Sequence, residues 1–394
     1  MSVAIRWALR LALVSSVTFS VWTAAGDARN TAQQLRVAIV IPKAGSFKVH
    51  NRLIANGATI AAQEIGAGVA DKGHSSVALK LSVVSVRPTI SPTRVVRSLA
   101  RRSTRALILP CDVELQESLA RAAAKAGLLT LSPCNPDARI AKSLPRYWPT
   151  GATGSAEAGQ LVYYAKYRQA KTAFLVGAAG SWYARLMTGE LRKWAKRDGI
   201  NIVGEASVSG GAHGLTSLAK RIRKLNPAIV FAAVPSPGIE SIITELRQKR
   251  VLSAFLVTDG MDAALDLARY RTGPANSSLE QVVFATFGFP RTTSGRFVND
   301  YEAAFRKKIV GSFPGLGYET VQVLEAAARR ASALTPAGLN ASFAKGFTVK
   351  GVVLEDTRYQ GHGHRQPVTN VGLAEVVRDQ YVPLFVSVAG HPTG

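Results

Sequence analysis

The sequence has 394 residues, 47% of them hydrophobic, and a formal net charge of +24. A chain of this length is longer than one core usually serves, so two domains are the first expectation. Two cysteines alone cannot complete a structural zinc site, and no Cys-x-x-Cys spacing occurs. Composition therefore favours a globular protein of two domains with no metal.

The positive charge raises the question of an anionic partner, such as nucleic acid or a membrane surface. The basic residues are scattered through predicted helices, for example from Arg94 to Arg105 and from Lys220 to Lys224. No basic stretch interleaved with aromatic residues accompanies them. A solvated outer face is the preferred interpretation, and no nucleic-acid partner is expected.

The N-terminal segment has the pattern of an export signal. Arg6 and Arg10 precede an apolar stretch from Leu11 to Trp22, and small residues follow at Thr23-Ala24-Ala25. The apolar stretch is shorter than the roughly 20 residues that a membrane span needs. We expect residues 1–25 to be a signal peptide and the mature protein to be periplasmic or otherwise extracytoplasmic; an uncleaved anchor is the alternative.

After the signal, apolar runs that favour strands alternate with segments of helical spacing. Continuous apolar strands separated by helices predict a parallel sheet covered on both faces. Ser91 followed by Pro92 predicts a helix start between two of these strands. The predicted strands of this first half are Leu35 to Ile41, Val77 to Val86, Ala106 to Pro110 and Leu128 to Pro133.

The alternation pauses at the Pro- and Gly-bearing stretch from Tyr147 to Ser155 and then starts again. Two long helical patterns, Ser294 to Val310 and Leu316 to Ala333, come before a strand-like tail that begins near Gly351. The chain is therefore predicted to form two similar α/β lobes. The predicted strands of the second half are Thr172 to Gly177, Asn201 to Val208, Ala228 to Val234, Ala254 to Asp259 and Gln281 to Phe287.

Enzyme signatures are missing from the sequence. There is no G-x-S-x-G elbow, P-loop, G-x-G-x-x-G or H-E-x-x-H motif. The two histidines of Gly361 to His364 sit in a glycine-bearing segment that favours solvation over metal binding. We therefore expect no catalytic residues, no cofactor and no metal.

Three segments resemble type 1 periplasmic binding proteins, in particular the branched-chain amino acid binding proteins of ABC importers. Residues 35–65 resemble the family's opening strand, loop and helix, and ALILPCDVELQESLARAAAKAGLLTLSPCNP resembles its strand, ligand loop, helix and second ligand loop. Residues 351–377 are similar to its closing region. The resemblance implies two Rossmann-like lobes, each a parallel sheet flanked by helices, joined by three hinge crossings.

The resemblance also implies how the chain divides. Residues 33–149 with 286–352 would form lobe 1, and residues 150–285 with 353–390 would form lobe 2. The crossings would lie near Tyr147 to Gly151, Phe284 to Phe287 and Lys350 to Glu355. A hinge of this kind needs few residues to absorb the change in dihedral angles.

Family ligand positions, carried over one by one, imply a site between the lobes. Asp112 stands where the family has a serine, and Cys134-Asn135-Pro136 stands where it has a small residue and a threonine. Trp182 takes the place of a family aromatic. The implied ligand-binding residues are His50, Asp112, Cys134, Asn135, Trp182 and Asp259.

An aspartate facing a ligand carboxylate repels it, so these substitutions favour a cationic or aromatic-cationic solute. Cys111 and Cys134 would end adjacent strands, close enough for a disulfide between the two ligand loops, with buried free thiols as the alternative. Asp112 has a second interpretation, as the cap of the following helix. Asp259, before Gly260, is also typical of a turn at a strand end.

The resemblance implies a solute-binding protein of an ABC importer. Its partners would be a small-molecule solute, either an amino acid or another small polar or aromatic compound, and an ABC permease in the membrane. Two alternatives remain open from the sequence: an extracytoplasmic ligand-sensing module without a transport role, and an α/β enzyme.

Overall fold

The computed structural model describes residues 34–45, 47–67, 77–87, 89–134, 137–209, 214–236, 238–262, 278–289, 295–353 and 356–384. The predicted signal peptide lies outside these residues. None of the helices described has the length and apolar character that a membrane span requires.

A five-stranded parallel sheet occupies the first part of the chain, in the order β2-β1-β3-β4-β5. The predicted apolar runs are confirmed as strands, although the third and fourth end earlier than expected. The strands are β1 (Gln34–Pro42), β2 (Ala78–Val86), β3 (Ala106–Ile108), β4 (Leu129–Ser132) and β5 (Tyr147–Pro149). The helices are α1 (Lys48–Gly66), α2 (Pro92–Arg101), α3 (Val113–Lys125) and α4 (Ala138–Ser143).

Both faces of this sheet are covered, which explains why its strands are apolar without alternation. Along β1, Val37 and Ile39 pack on one side with Ile54 of α1. Ala38 and Val40 pack on the other side with residues of α2, α3 and α4. The predicted start of α2 is also confirmed, because Ser91 Oγ accepts a hydrogen bond from the Arg94 N–H at 3.4 Å.

A second, seven-stranded sheet has the order β14-β13-β10-β9-β8-β6-β7. Its strands from β6 to β10 are parallel, and the two tail strands add an antiparallel edge. The strands are β6 (Thr172–Ala178), β7 (Asn201–Val208), β8 (Ile229–Ala233), β9 (Ala254–Val257), β10 (Val283–Thr286), β13 (Gly372–Val377) and β14 (Gln380–Leu384). The helices are α5 (Gly154–Tyr167), α6 (Trp182–Arg197), α7 (Leu215–Leu225) and α8 (Gly238–Gln248), with a 3₁₀ turn at Asp259–Met261.

The two long helical patterns near the end of the chain are also confirmed. They form α9 (Gly295–Phe305) and α10 (Phe313–Arg330). The first ends sooner than predicted, since Arg306 adopts a left-handed backbone with φ 51°. A third helix, α11 (Pro336–Lys345), precedes a small antiparallel pair, β11 (Phe347–Val349) and β12 (Thr357–Tyr359). The two lobes predicted from the sequence are thus present, each a sheet between layers of helices.

The first half of α10 hydrogen bonds to two of the segments predicted as crossings. Thr320 Oγ1 lies 2.7 Å from Thr150 Oγ1, beside the first crossing. Glu319 Oε1 accepts hydrogen bonds from the N–H groups of Val352 and Val353, in the segment predicted as the third crossing. Residues 354 and 355 lie outside the described part of the chain, and the exact lobe boundaries stay a prediction.

Helices α1 and α10 pack against each other through two glycines. A Cβ atom on Gly57 would lie 1.7 Å from the carbonyl oxygen of Pro314, and one on Gly317 would lie 1.9 Å from that of Ile54. Each glycine faces backbone of the other helix, which cannot move aside as a flexible side chain could. The two helices can approach this closely only because neither glycine carries a side chain.

We predict that Gly57→Ala destabilises the protein by about 2–3 kcal/mol, because the added methyl forces the two helices apart. Chemical denaturation followed by circular dichroism measures the loss.

Gly189→Ala in α6 is the matched control, since nothing lies within 4 Å of the added Cβ. It should leave stability unchanged or raise it by about 0.5–1 kcal/mol, as expected for alanine inside a helix. Equal stability of the two variants would contradict the close helix packing described here.

Candidate functional site

A cavity lies where the carboxyl ends of strands from both sheets meet. Parallel α/β sheets bind ligands at this end of the strands, because loops and helix N-termini converge there. The cavity is lined by Phe47, Cys111, Cys134, Ala152, Gly154, Glu157, Tyr183, Asp259, Phe287 and Phe313. Both halves of the chain therefore contribute to one site.

The cavity has a volume of only about 10 Å³. Space of this size admits about one water molecule. Phe47, from the first half of the chain, and Tyr183, from the second, meet across the site with ring centroids 5.4 Å apart and nearly perpendicular planes. A larger solute does not fit between the residues that line the cavity in this structure.

Asp259 and Glu157 form a buried pair of acids at the cavity. Tyr183 Oη donates a hydrogen bond to Asp259 Oδ1, and the Asp259 N–H donates to Glu157 Oε1 at 2.7 Å. Glu157 lies in the first turn of α5, whose cap is Thr153, with Oγ1 accepting from the Ala156 N–H at 3.1 Å. Local helix capping thus fixes the position of Glu157.

Burial raises the pKa of Asp259 to about 6, and the hydrogen bond from Tyr183 opposes this change. Burial also raises the pKa of Glu157 well above its ordinary value, and the nearby charge of Asp259 adds to the increase. A positive charge placed beside either carboxyl group stabilises its ionised form. The pair therefore either shares a proton or binds a cation.

Asp262 is a third buried acid near this pair. Its carboxyl accepts hydrogen bonds from the hydroxyl groups of Thr286, at 2.9 Å, and of Ser312. Burial raises the pKa of Asp262 to about 8, against the smaller opposing effect of these bonds. Since Ser312 precedes α10 and Thr286 ends β10, Asp262 connects the 3₁₀ turn that carries Asp259 to the second crossing.

Aromatic rings form the apolar part of the site. Phe313 lies against Phe287, with centroids 6.3 Å apart, and against His50, with centroids 4.6 Å apart. His50 is fully buried between Phe47 and Phe313, and burial lowers its pKa to about 4 despite the opposing effect of the Gly260 backbone. Within the described residues, neither ring nitrogen of His50 has a hydrogen-bond partner of good geometry.

Cys111 and Cys134 form a disulfide, with Cα atoms 5.1 Å apart. It links the loops that follow β3 and β4, and both residues line the cavity. Asn51 Oδ1 accepts a hydrogen bond from the Cys111 N–H at 2.8 Å, and Gln116 Nε2 donates to the Cys134 carbonyl at 2.7 Å. The disulfide-bonded residues therefore form part of the lining on this side, and an amide side chain hydrogen bonds to each of the two loops.

The structure brings Asp259 and Cys134 of the predicted site to the cavity, but Asp112, Trp182 and His50 are not among the lining residues. Asp112 instead caps α3, accepting from the Leu115 N–H at 3.0 Å. This geometry fits the capping interpretation of Asp112. Asn135 lies outside the described residues, and a ligand role for His50 stays a prediction.

The aromatic ring that lines the cavity belongs to Tyr183, one residue after the predicted Trp182, and a ligand role for Trp182 stays a prediction. Trp182 opens α6 and is half-buried against the core, whereas its neighbour Tyr183 lines the cavity and contacts Asp259. Neighbouring residues of a helix point about 100° apart, so a shift of one position decides which ring reaches the site. Glu157 was not predicted as a site residue. Thr153, a typical N-cap residue, could have marked the start of the helix that carries it.

The chain is similar in structure to several solute-binding proteins. An ABC transporter substrate-binding protein from Desulfitobacterium hafniense, in complex with Leu, has a TM-score of 0.72 at 17% identity, over 89% of this chain and all of the other. A leucine binding protein from Thermotoga maritima has a TM-score of 0.73 at 16% identity, over 89% of this chain and 97% of the other.

A solute-binding protein from R. palustris, in complex with benzoate, has a TM-score of 0.70 at 18% identity, over 89% of this chain and 95% of the other. At such identities the likeness shows a common fold. No curated protein matches the sequence.

The family assignment comes from the sequence itself. A family model described as periplasmic binding protein matches residues 34–380, which include all the residues that line the cavity and both sheets except the last four residues of β14. The chain belongs to the periplasmic binding protein family and has the solute-binding role of that family.

Proposed function

We propose that this protein is the exported solute-binding component of an ABC importer, and that its solute is a small molecule with a protonated amine and an apolar body. The observation that carries the proposal is the lining of the cavity: its charged members are the acids Glu157 and Asp259, and lysine and arginine are not among the described residues that line it.

A protonated amine suits the acid pair for electrostatic reasons. Two buried carboxylates repel each other, and the groups that raise the pKa of Glu157 and Asp262 include other acids of the same cluster. An ammonium group placed between Glu157 and Asp259 supplies the missing positive charge and donates charge-assisted hydrogen bonds to both. Binding would then deprotonate the pair.

The rest of the cavity suits an apolar group. Phe47, Phe287 and Phe313 offer ring faces and edges, and the disulfide offers a wall without a hydroxyl. The Cys111 N–H is already bonded to Asn51, so it is not free to bind a solute carboxylate. These features favour an amine over an α-amino acid, in contrast to the leucine complex of the Desulfitobacterium hafniense protein.

Closure of the lobes supplies the binding mechanism. A solute stabilises the closed state only through contacts that the open state lacks. Contacts to Phe47 and the disulfide on one side, and to Tyr183 and Asp259 on the other, are of this kind because they come from different halves of the chain. Because Asp262 accepts a hydrogen bond from Thr286, closure at Asp259 would also move the predicted crossing at Thr286.

Delivery to an ABC permease is supported by the family and by the transporter proteins of similar fold. Export is supported by the N-terminal pattern and by the disulfide, because disulfides persist in oxidising compartments. Neither thiol is free to act as a nucleophile, since both are held in the disulfide. Uptake of the solute by membrane vesicles that contain the cognate permease, with and without the protein, separates a transport role from a sensing role.

We predict that Asp259→Asn weakens binding of the solute by about 10- to 100-fold, the usual effect of losing a charge-assisted hydrogen bond. Tyr183→Phe should weaken it less, by about threefold to tenfold, because the carboxylate remains but loses its donor. The solute is first identified by mass spectrometry of what copurifies, and a thermal-shift panel of amines and carboxylates provides a second route. Isothermal titration calorimetry then gives the affinities.

Asp112→Asn is the matched control, with the same chemical change at the other acid predicted from the sequence. Asparagine keeps the helix cap, and Asp112 does not line the cavity, so affinity should change by less than about twofold. A loss at Asp112→Asn as large as that at Asp259→Asn would place the ligand at the start of α3 instead.

We also predict that binding of the amine weakens as the pH falls below about 6. The pKa of Asp259 is about 6 in the free protein, so protonation below that pH removes the negative charge that attracts the ammonium group. Calorimetry from pH 5 to pH 8, in two buffers of different ionisation enthalpy, should show affinity rising with pH and protons released on binding. Affinity that rises as the pH falls would show that the solute is an anion.

A further inference from the structure

A second cavity, of about 340 Å³, lies at the opposite end of the seven-stranded sheet. It is lined by Ile229, Ala254 and Val283, the first residues of β8, β9 and β10. The acid pair of the first cavity lies at the other end of the same sheet, since Asp259 comes just after β9. The two cavities therefore lie at opposite ends of this sheet and are separate sites.

The second cavity is lined by both apolar and charged residues. Ile229, Leu256 and Val283 are buried beneath it, while Leu252, at its edge, is 86% exposed. Its charged lining residues are Arg168, Arg247 and Glu375. Two guanidinium groups and one carboxylate leave a net positive charge among the lining residues, which also include the exposed Leu252.

Arg247 lacks the partner that a half-buried cation usually has. Its guanidinium carbon lies 5.2 Å from the ring centroid of Phe255, but its buried Nε has no hydrogen-bond partner among the described residues. Burial lowers the pKa of Arg247, and no acid opposes this change. Glu375 therefore faces the same cavity without compensating the charge of Arg247.

Helix geometry explains part of this arrangement. Arg247 lies in the last turn of α8 and Arg168 caps α5, positions where a cation is stabilised by the helix dipole. The helix dipole therefore explains why each arginine lies at the C-terminal end of its helix. It does not account for both of them facing one cavity.

We propose that this cavity binds a small organic anion, a carboxylate on a short apolar body, independently of the solute in the cleft. The carboxylate would accept hydrogen bonds from Arg247, whose planar guanidinium suits two-point binding, with Arg168 adding a second charge. The apolar body would contact Leu252, which lines the cavity and is 86% exposed. Glu375, facing the same space, would oppose binding.

The test is titration of the full mature protein with hexanoate at pH 7 and low ionic strength, followed by calorimetry. Arg247→Gln should weaken hexanoate binding by at least about tenfold, as expected for loss of hydrogen bonds to a charged group. Glu375→Gln should strengthen it, because repulsion is removed. Asp259→Asn, in the cleft, should leave it unchanged.

Arg97→Gln is the matched control, since Arg97 is exposed on α2 in the other lobe. Hexanoate binding that is absent, or equally weakened by Arg97→Gln and Arg247→Gln, would overturn the proposal. Inorganic phosphate that competes as well as hexanoate would overturn the role of the apolar contact with Leu252. If Arg247→Gln does not fold, Glu375→Gln decides, and unchanged or weaker binding there would count against the site.

Discussion

Three carboxyl groups, of Glu157, Asp259 and Asp262, are buried close together at one strand end of the second lobe. Burial disfavours the charged form of each, and each ionised neighbour makes the next ionisation harder. Hydrogen bonds from Tyr183, Thr286 and Ser312 offset part of this cost. The part of this cost that is not offset favours binding of a positive charge beside the carboxyl groups. In the proposed function, a cationic solute supplies this charge when it enters the cleft.

The same cluster is hydrogen-bonded to one of the segments predicted as crossings. Asp259 and Asp262 lie on one short turn, the first facing the cavity and the second bonded to Ser312 before α10. Helix α10 also bonds beside the first and third crossings, through Thr320 and Glu319, and packs on α1 through Gly317. Asp259 is thus linked, through a few hydrogen bonds and packing contacts, to the segments predicted as crossings.

Much of the fold could be predicted from the sequence, because buried parallel strands are continuous apolar runs and their order along the chain is that of a doubly wound sheet. Asp259 could be predicted for the same reason, since it follows one of those runs. Glu157 could not, because its burial depends on a contact with Asp259, 102 residues away. The choice of Tyr183 over Trp182 depends on where α6 begins, and helix boundaries are the least certain part of a sequence pattern.

The most direct test of the account is a crystal structure of the mature protein with the solute that copurifies with it. The account predicts a closed pair of lobes with a cationic nitrogen within about 3.2 Å of carboxylate oxygens of both Asp259 and Glu157, and aromatic rings around the apolar part. A solute that places a carboxylate at Asp259, or that lies away from the cleft between the two sheets, would contradict it.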